Sequence, residues 1–411
     1  MRLQKIRTYY SRYLSQFYAG RPLLTEEPYV TQHRALMDDC FAAADFWSTE
    51  LEKIGYQTDE IVSNAEPMQR RWATENGIKY DDGNWLLEIT AAQIKAFRPT
   101  VLFVADYVVF TGDFLKRVRA ENPSIQLVVG WCSAPYSDES VFHEYDAVLS
   151  CVPELVSDFR AKGHQAFHLN VAFAPQILER INTHTAPTTD FAFVGSLVKQ
   201  TKFHNERERL LSSLVGATDL RIWAEVERPL PSSKLRRIQL QKIAFDSIRA
   251  AQNWGVPATL LAMTPFVRRA AHWKVRPVLP PTIDKAIAAR ALPALFGCAM
   301  YQQLHDSRVC LNTHIDISPV SASNMRLFEV TGVGSCLLTD WRANIATLFD
   351  PEIEVVTYRS PEECSEKAKY LLDHKDERQQ IARRGQQRTL RDHTYQQWAA
   401  KFDEIVRYAM P

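Results

Sequence analysis

The sequence predicts an α/β protein built as two parallel-sheet units, and three observations carry that prediction. From residue 3 to residue 169, short apolar runs bounded by turn residues alternate with stretches of helical apolar spacing, the pattern of right-handed βαβ units on a doubly covered sheet. A proline- and threonine-rich stretch with Pro175 and Pro187 then interrupts the alternation. A new buried strand, Asp190-Phe191-Ala192-Phe193-Val194-Gly195-Ser196, opens after it. The boundaries that follow are 1–172 for a Rossmann-like unit, 173–189 for a linker and 190–393 for a second such unit.

In chain order, residues 3–10 read as a strand running into an aromatic helix start with Tyr9, Tyr10, Tyr13, Phe17 and Tyr18. That stripe fits either a core face or a cleft lining. Apolar spacing over 29–51 predicts one long helix closed by Gly55, followed by a strand at 56–62. Helices are expected at 66–76 and 84–97, the second stopped before Pro99. Strand 101–105 delivers Asp106 at its C-terminal end. Helix 112–120, strands 126–129 and 147–150, helix 153–161 and strand 166–169 complete the first unit.

In the second unit, Gly195-Ser196 reads as a turn after the opening strand, with helix 204–215 and strand 220–223 beyond it. Residues 225–290 then carry twelve Lys or Arg against four Asp or Glu, with Phe245, Trp254, Phe266 and Trp273 interleaved. Two or three helices broken at prolines 257, 265, 277, 280 and 281 are expected there. Such an insert suits an anionic membrane surface or a charged acceptor, or else a solvated segment packed on the edge of its unit. Helix 297–305 and strand 308–311 bring Asn312, Thr313 and His314 to the C-terminal edge of the sheet, where α/β proteins bind ligands. Ser323 is placed as the N-cap of a helix whose Leu327, Phe328 and Val330 face a core, which Gly332 or Gly334 ends. Strand 336–338, strand 354–357, helix 361–374 and helical stretches at 375–390 and 395–409 finish the chain.

The 411 residues are 46% hydrophobic and 24% charged with a formal charge of +1, the balance of a globular protein with no global attraction to nucleic acid. The basic segment at 228–290 matches no nucleic-acid motif. Seven scattered cysteines without a Cys-x-x-Cys pair read as small buried residues in a reducing compartment, with no disulfide frame and no metal site. No apolar run reaches membrane-spanning length and the start Met1-Arg2-Leu3-Gln4-Lys5 lacks an apolar signal core, so a cytoplasmic location is expected, with peripheral contact at the inner membrane face through the basic insert.

The run Asn324, Arg326, Phe328-Glu329, Gly334 and Thr339-Asp340, followed by Leu348-Phe349, Tyr358, Gly385 and His393-Thr394-Tyr395, resembles the C-terminal module of GT-B glycosyltransferases. It is most similar to the branch of spore-maturation-type proteins with a family 1/4-type donor domain. The motif covers roughly the last hundred residues, and the remainder is similar only in architecture. The resemblance implies two Rossmann-like domains facing across a cleft, with a C-terminal helix over 394–411 that crosses back and packs Trp398, Phe402 and Ile405 on the first domain. It implies a nucleotide-diphosphate sugar as donor and no metal or other cofactor.

By the same resemblance, Glu329 binds the donor ribose, and Ser321 stands where related retaining enzymes carry another Glu. Gly195, Ser196, Asn324 and Arg326 then contact the diphosphate, with Lys199 or Lys202 as an added cation, while Asn312 and His314 line the site. Arg326 stabilises leaving-group charge in a bidentate geometry that lysine lacks. On the acceptor side stand Asp106, Ser133 and His143, with no choice made among them. The expected activity is sugar transfer to a glycan or lipid-linked acceptor in bacterial surface polysaccharide synthesis, with a retaining outcome. A nucleotide-sugar epimerase and a non-catalytic assembly protein of the same fold are the alternatives. An NAD-dependent dehydrogenase is disfavoured because none of the 14 glycines forms Gly-x-Gly-x-x-Gly.

Overall fold

The computed structural model describes residues 1–136, 138–197, 204–226, 231–254, 276–279, 283–314, 316 and 320–410. Six strands form the first sheet: β1 (Arg2–Arg7), β2 (Gln57–Val62), β3 (Val101–Val104), β4 (Leu127–Trp131), β5 (Ala147–Ser150) and β6 (Ala166–His168). They lie in the order β2-β1-β3-β4-β5-β6. The second sheet contains β7 (Thr189–Leu197), β8 (Arg221–Val226), β9 (Ala291–Leu292), β10 (Ser307–Asn312), β11 (Cys336–Asp340) and β12 (Val356–Tyr358). Their order is β12-β11-β10-β7-β8-β9. Every pairing is parallel. Runs such as Val101-Leu102-Phe103-Val104, buried along their whole length, need cover on both faces, and the intervening helices provide it.

Most elements fall where periodicity places them, including the helices Trp85–Phe97, Pro153–Ala161 and Gly297–His305. The expected single helix over 29–51 is instead two, Tyr29–Asp38 and Phe46–Lys53. Between them Cys40, Ala42 and Ala44 have positive φ angles of 57°, 52° and 32°. Contacts remote in sequence hold this unfavourable backbone. Cys298 N–H donates to the Asp39 carbonyl at 2.8 Å, Tyr13 Oη donates to Asp39 Oδ2 at 2.9 Å, and Arg7 donates to the Ala44 carbonyl. Gly297 answers from the second sheet's side at φ 55°, where any Cβ would overlap the Asp39 carbonyl. Apolar spacing carries no trace of such a joint.

Two further expectations are corrected. Gly195 and Ser196 are not a turn but part of β7, paired with Ala224 and Glu225. Ser323 is not the N-cap: the helix is Arg326–Gly332, its N-cap is Met325, and no side chain caps it. The two halves do not keep wholly separate cores, since one apolar cluster runs from Leu3, Phe103 and Val129 through Phe173 to Ala192, Tyr301 and Phe328. Smaller clusters lie on the outer face of each sheet. In the basic insert the described part includes the 22-residue helix Ser232–Asn253 and the short helix Lys285–Arg290, while prolines 257, 265, 280 and 281 lie outside the described residues.

The C-terminal helix Tyr395–Ala409 crosses back to the first sheet as expected. Thr394 and Gln397 close its N-terminus with a capping box, and Phe402 packs against Phe103 and Trp47 with ring centroids 5.5 and 5.6 Å apart. The aromatic stripe after β1 divides in the same way. Tyr9, Tyr13 and Phe17 are core residues, whereas Tyr10 is exposed.

Beneath the crevice, β1 carries a buried ionic group. Lys5 Nζ lies 3.6 Å and Arg7 Nη2 3.2 Å from the Glu60 carboxylate, which also accepts from Ser48 Oγ at 2.8 Å. Burial drives the Lys5 amine down to about 8, and Glu60 offsets only part of that. The folded value lies below the unfolded one, so between about pH 8 and 10.5 the unfolded chain holds the extra proton and stability rises with pH across that window. Urea unfolding at pH 8 and pH 10 therefore distinguishes wild type from Lys5→Met: the wild type gains about 2 kcal/mol relative to the variant over this rise. An unchanged difference would mean that Lys5 is not held in a desolvating site.

Candidate functional site

In an open parallel sheet, ligands bind beyond the C-terminal ends of the strands where the strand order reverses. The first sheet reverses between β1 and β3, and the second between β7 and β10. These ends face each other: Arg12, just after β1, pairs with Glu225 near the end of β8 at 2.7 Å, and Tyr10 is within electrostatic reach of Glu225 and Glu329. The first reversal holds Asp106, whose carboxylate is fully engaged. It accepts from Thr8 Oγ1 and, through Oδ1, from the backbone N–H groups of Val108 and Val109 at 3.0 Å each.

The second reversal is bridged by a side chain that the sequence reading passed over. Arg207, on the helix Asn205–Ala217, donates to the Ser196 carbonyl at 2.9 Å and to the Thr313 carbonyl at 2.8 Å, tying the end of β7 to the chain leaving β10. Its signal was present, because Arg207 shares an apolar stripe with Leu210, Leu211 and Leu214 and is itself buried. Burial lowers its guanidinium to about 10. Burial and then Arg207 depress nearby His204 to about 4.

Around this bridge the second sheet gathers a polar network. Asn312 and Asn324 exchange reciprocal amide bonds of 3.2 and 2.8 Å, and Asn312 also donates to Thr339 Oγ1 at 2.9 Å. His314 Nδ1 lies 2.7 Å from Asp340 Oδ1, and the His314 N–H reaches the same carboxylate. Arg342 pairs with Asp340 Oδ2 at 2.7 Å. Burial alone would raise the Asp340 carboxyl, but His314 and Arg342 hold it below its ordinary value. His314 Nε2, buried, has no hydrogen-bond partner among the described residues. A buried polar atom left unmatched calls for an explanation, and a bound ligand or water supplies one.

One turn further on, Glu329 is buried with both oxygens occupied. Arg326 Nη1 donates to Oε2 at 2.7 Å and Tyr301 Oη to Oε1 at 3.2 Å. Burial and then Glu329 push the Tyr301 hydroxyl far above its usual range, so it remains a donor. The structure thus places Gly195, Ser196, Asn312, His314 and Asn324 around the second reversal, with Arg326 and Glu329 on the helix that follows. His143 is elsewhere: it is exposed, with its ring 5.1 Å from that of His164, just before β6. Ser133 follows the C-terminal end of β4 and is half-buried. Lys199 and Lys202 lie outside the described residues.

Comparison with known proteins agrees with this geometry. Residues 255–404 match a family model described as glycosyl transferase-like. Comparison with curated proteins finds no relative. Among solved structures, sucrose-phosphate synthase from Thermosynechococcus elongatus is similar at 10% identity and TM-score 0.53, covering 99% of this chain and 98% of that one. HepE from Anabaena in complex with UDP and glucose gives 10% identity and TM-score 0.51, covering 99% of both chains. A glycosyltransferase from Rickettsia africae gives 7% identity and TM-score 0.53, covering 99% and 98%. The fold is therefore GT-B over essentially the whole chain. Asn312, His314, Asn324, Arg326, Glu329 and Asp340 all fall inside the segment that the family model matches.

Because Arg207 satisfies two carbonyls at once, Arg207→Met should cost about 2–4 kcal/mol in urea unfolding. Arg207→Lys, which cannot span both oxygens, should recover only part of that loss. Wild-type stability in Arg207→Met would show that the bridge carries nothing.

Proposed function

We propose that the protein is a glycosyltransferase that takes its sugar from a nucleoside-diphosphate donor held at the C-terminal ends of β7, β10 and β11. The observation that carries this reading is the polar cluster of Asn312, Asn324, His314 and Asp340 at the reversal between β7 and β10, inside the segment that the glycosyl transferase-like model matches. In the reaction the bond from the sugar's anomeric carbon to the distal phosphate oxygen breaks and its electron pair leaves on the diphosphate. An acceptor hydroxyl oxygen forms the new bond and passes its proton to the departing diphosphate. Arg326 is assigned to the diphosphate together with His314 Nε2, which donates only from the doubly protonated ring that Asp340 pairs through Nδ1, and fixed donors of this kind stabilise the departing charge.

Glu329 is assigned to the ribose hydroxyls. Donor binding then exchanges its internal partners, with the diphosphate drawing Arg326 away and the ribose taking the freed carboxylate. The acceptor enters from the first sheet, where Asp106 follows the C-terminal end of β3. A retaining outcome, a glycan or lipid-linked acceptor in bacterial surface polysaccharide synthesis, and a place in the spore-maturation-like branch belong to the same proposal. A non-catalytic sugar-nucleotide binder is the second reading, favoured by Ser321 in place of a glutamate and by the occupied Glu329 carboxylate.

A thermal-shift series with UDP, GDP, TDP, CMP and NAD tests the proposal, and UDP comes first because HepE holds it. A ligand at a hundred times its dissociation constant stabilises by about 2.7 kcal/mol, which is readily seen. One nucleoside diphosphate should raise the wild-type midpoint, and Glu329→Ala should lose most of that rise. Release of free nucleoside diphosphate from the matching sugar donor separates transferase from silent binder. No shift with any nucleoside diphosphate, in a protein that folds normally, contradicts both readings.

A further inference from the structure

The helix Ser232–Asn253 presents an unusual outer face. Arg236, Leu240, Ile243, Ser247, Ala250 and Trp254 follow one another at spacings of four, three, four, three and four residues, which on an α-helix is a single line. Leu240, Ile243 and Trp254 on that line are 62%, 61% and 89% exposed. Single exposed hydrophobics are ordinary, but three large ones aligned along one helix form a patch.

The charge around the line selects its partner. Lys234, Arg236 and Arg237 are exposed at the helix start, and the helix's one acidic residue, Asp246, is held by Arg276 through two bonds of 2.8 Å. The segment 225–290 carries twelve basic against four acidic residues. A second copy of this chain would bring like charges together. Nucleic acid would answer the charge but leave leucine and isoleucine without an apolar counterpart. A bilayer surface containing anionic lipid answers both, with headgroups for the basic end, acyl chains for Leu240 and Ile243, and the interfacial zone for Trp254.

We propose that the solvent face of Ser232–Asn253 with Trp254 is a membrane-docking surface for anionic lipid, lying flat at the bilayer interface. The surface goes beyond the proposed sugar transfer and stands without it. The helix carries both features that such binding adds together, apolar area and positive charge.

Vesicle flotation of the full-length protein at low salt tests the surface, with phosphatidylglycerol–phosphatidylcholine vesicles against phosphatidylcholine alone. The wild type should float with the anionic vesicles only and detach as salt rises. Leu240→Ser/Ile243→Ser/Trp254→Ser should weaken partitioning by about tenfold or more, and Arg236→Glu/Arg237→Glu should weaken it similarly. These side chains are exposed, so thermal midpoints should stay near wild type, which separates lost docking from lost folding. Absence of flotation with anionic vesicles overturns the proposal, and so does flotation that the triple variant leaves intact. A wild-type dimer in sedimentation velocity that the triple variant converts to monomer also overturns it, by making the face a protein interface.

Discussion

A single apolar core that passes from one sheet into the other is the constraint on which the rest of this structure depends. Phe173 leaves the first half, pairs through its backbone with the segment around Thr394, and packs its ring so closely on Gly332 that no side chain fits there. Phe402 and Tyr395 of the C-terminal helix then reach Phe103, Phe46 and Trp47. Burial of this kind is non-directional, but it fixes distances once the side chains interlock. Two sheets joined in this way present their C-terminal ends to each other, and the site forms where they meet.

That arrangement gives several motif residues a meaning different from catalysis. His393 is held by packing: its ring sits between Phe328 and Phe349, and Nε2 meets the Leu348 carbonyl at 2.8 Å. Gly385 lets the helix Lys375–Asp392 approach the Glu354 carbonyl, and Thr331 meets Thr389 at 2.6 Å. These contacts clamp the short helix that carries Arg326 and Glu329. A seven-residue helix has little stability of its own, so the clamp keeps the two side chains in register with the strand ends. Much of the family-like motif is thus scaffolding around Arg326 and Glu329.

The sequence made the sheets legible because buried parallel strands are continuous apolar runs and the helices between them have clear periods, as at Val101–Val104 and Pro153–Ala161. It also located the strand-end residues Asn312 and His314. It could not show that Asn312 pairs with Asn324 or that Asp340 grips His314, since those partners meet only after β10 and β11 align. The break between Asp38 and Phe46 was hidden for the same reason: Gly297, far along the chain, makes that joint possible. Gly195-Ser196 looked like a turn because glycine and serine favour turns, but pairing with β8 overrides that preference. His143 stood near strands in sequence, and yet its exposed ring packs on that of His164 just before β6, which only the fold reveals.

Amide hydrogen exchange with and without a saturating nucleoside diphosphate addresses the central claim most directly, because it reports where binding changes the chain without assuming a reaction. The account predicts slowed exchange at the end of β7, at residues 312–314, across the helix Arg326–Gly332 and at the end of β11, with the outer strands of the first sheet unchanged. Protection confined to the first sheet, or spread evenly over the molecule, would contradict a donor site built on the reversal between β7 and β10.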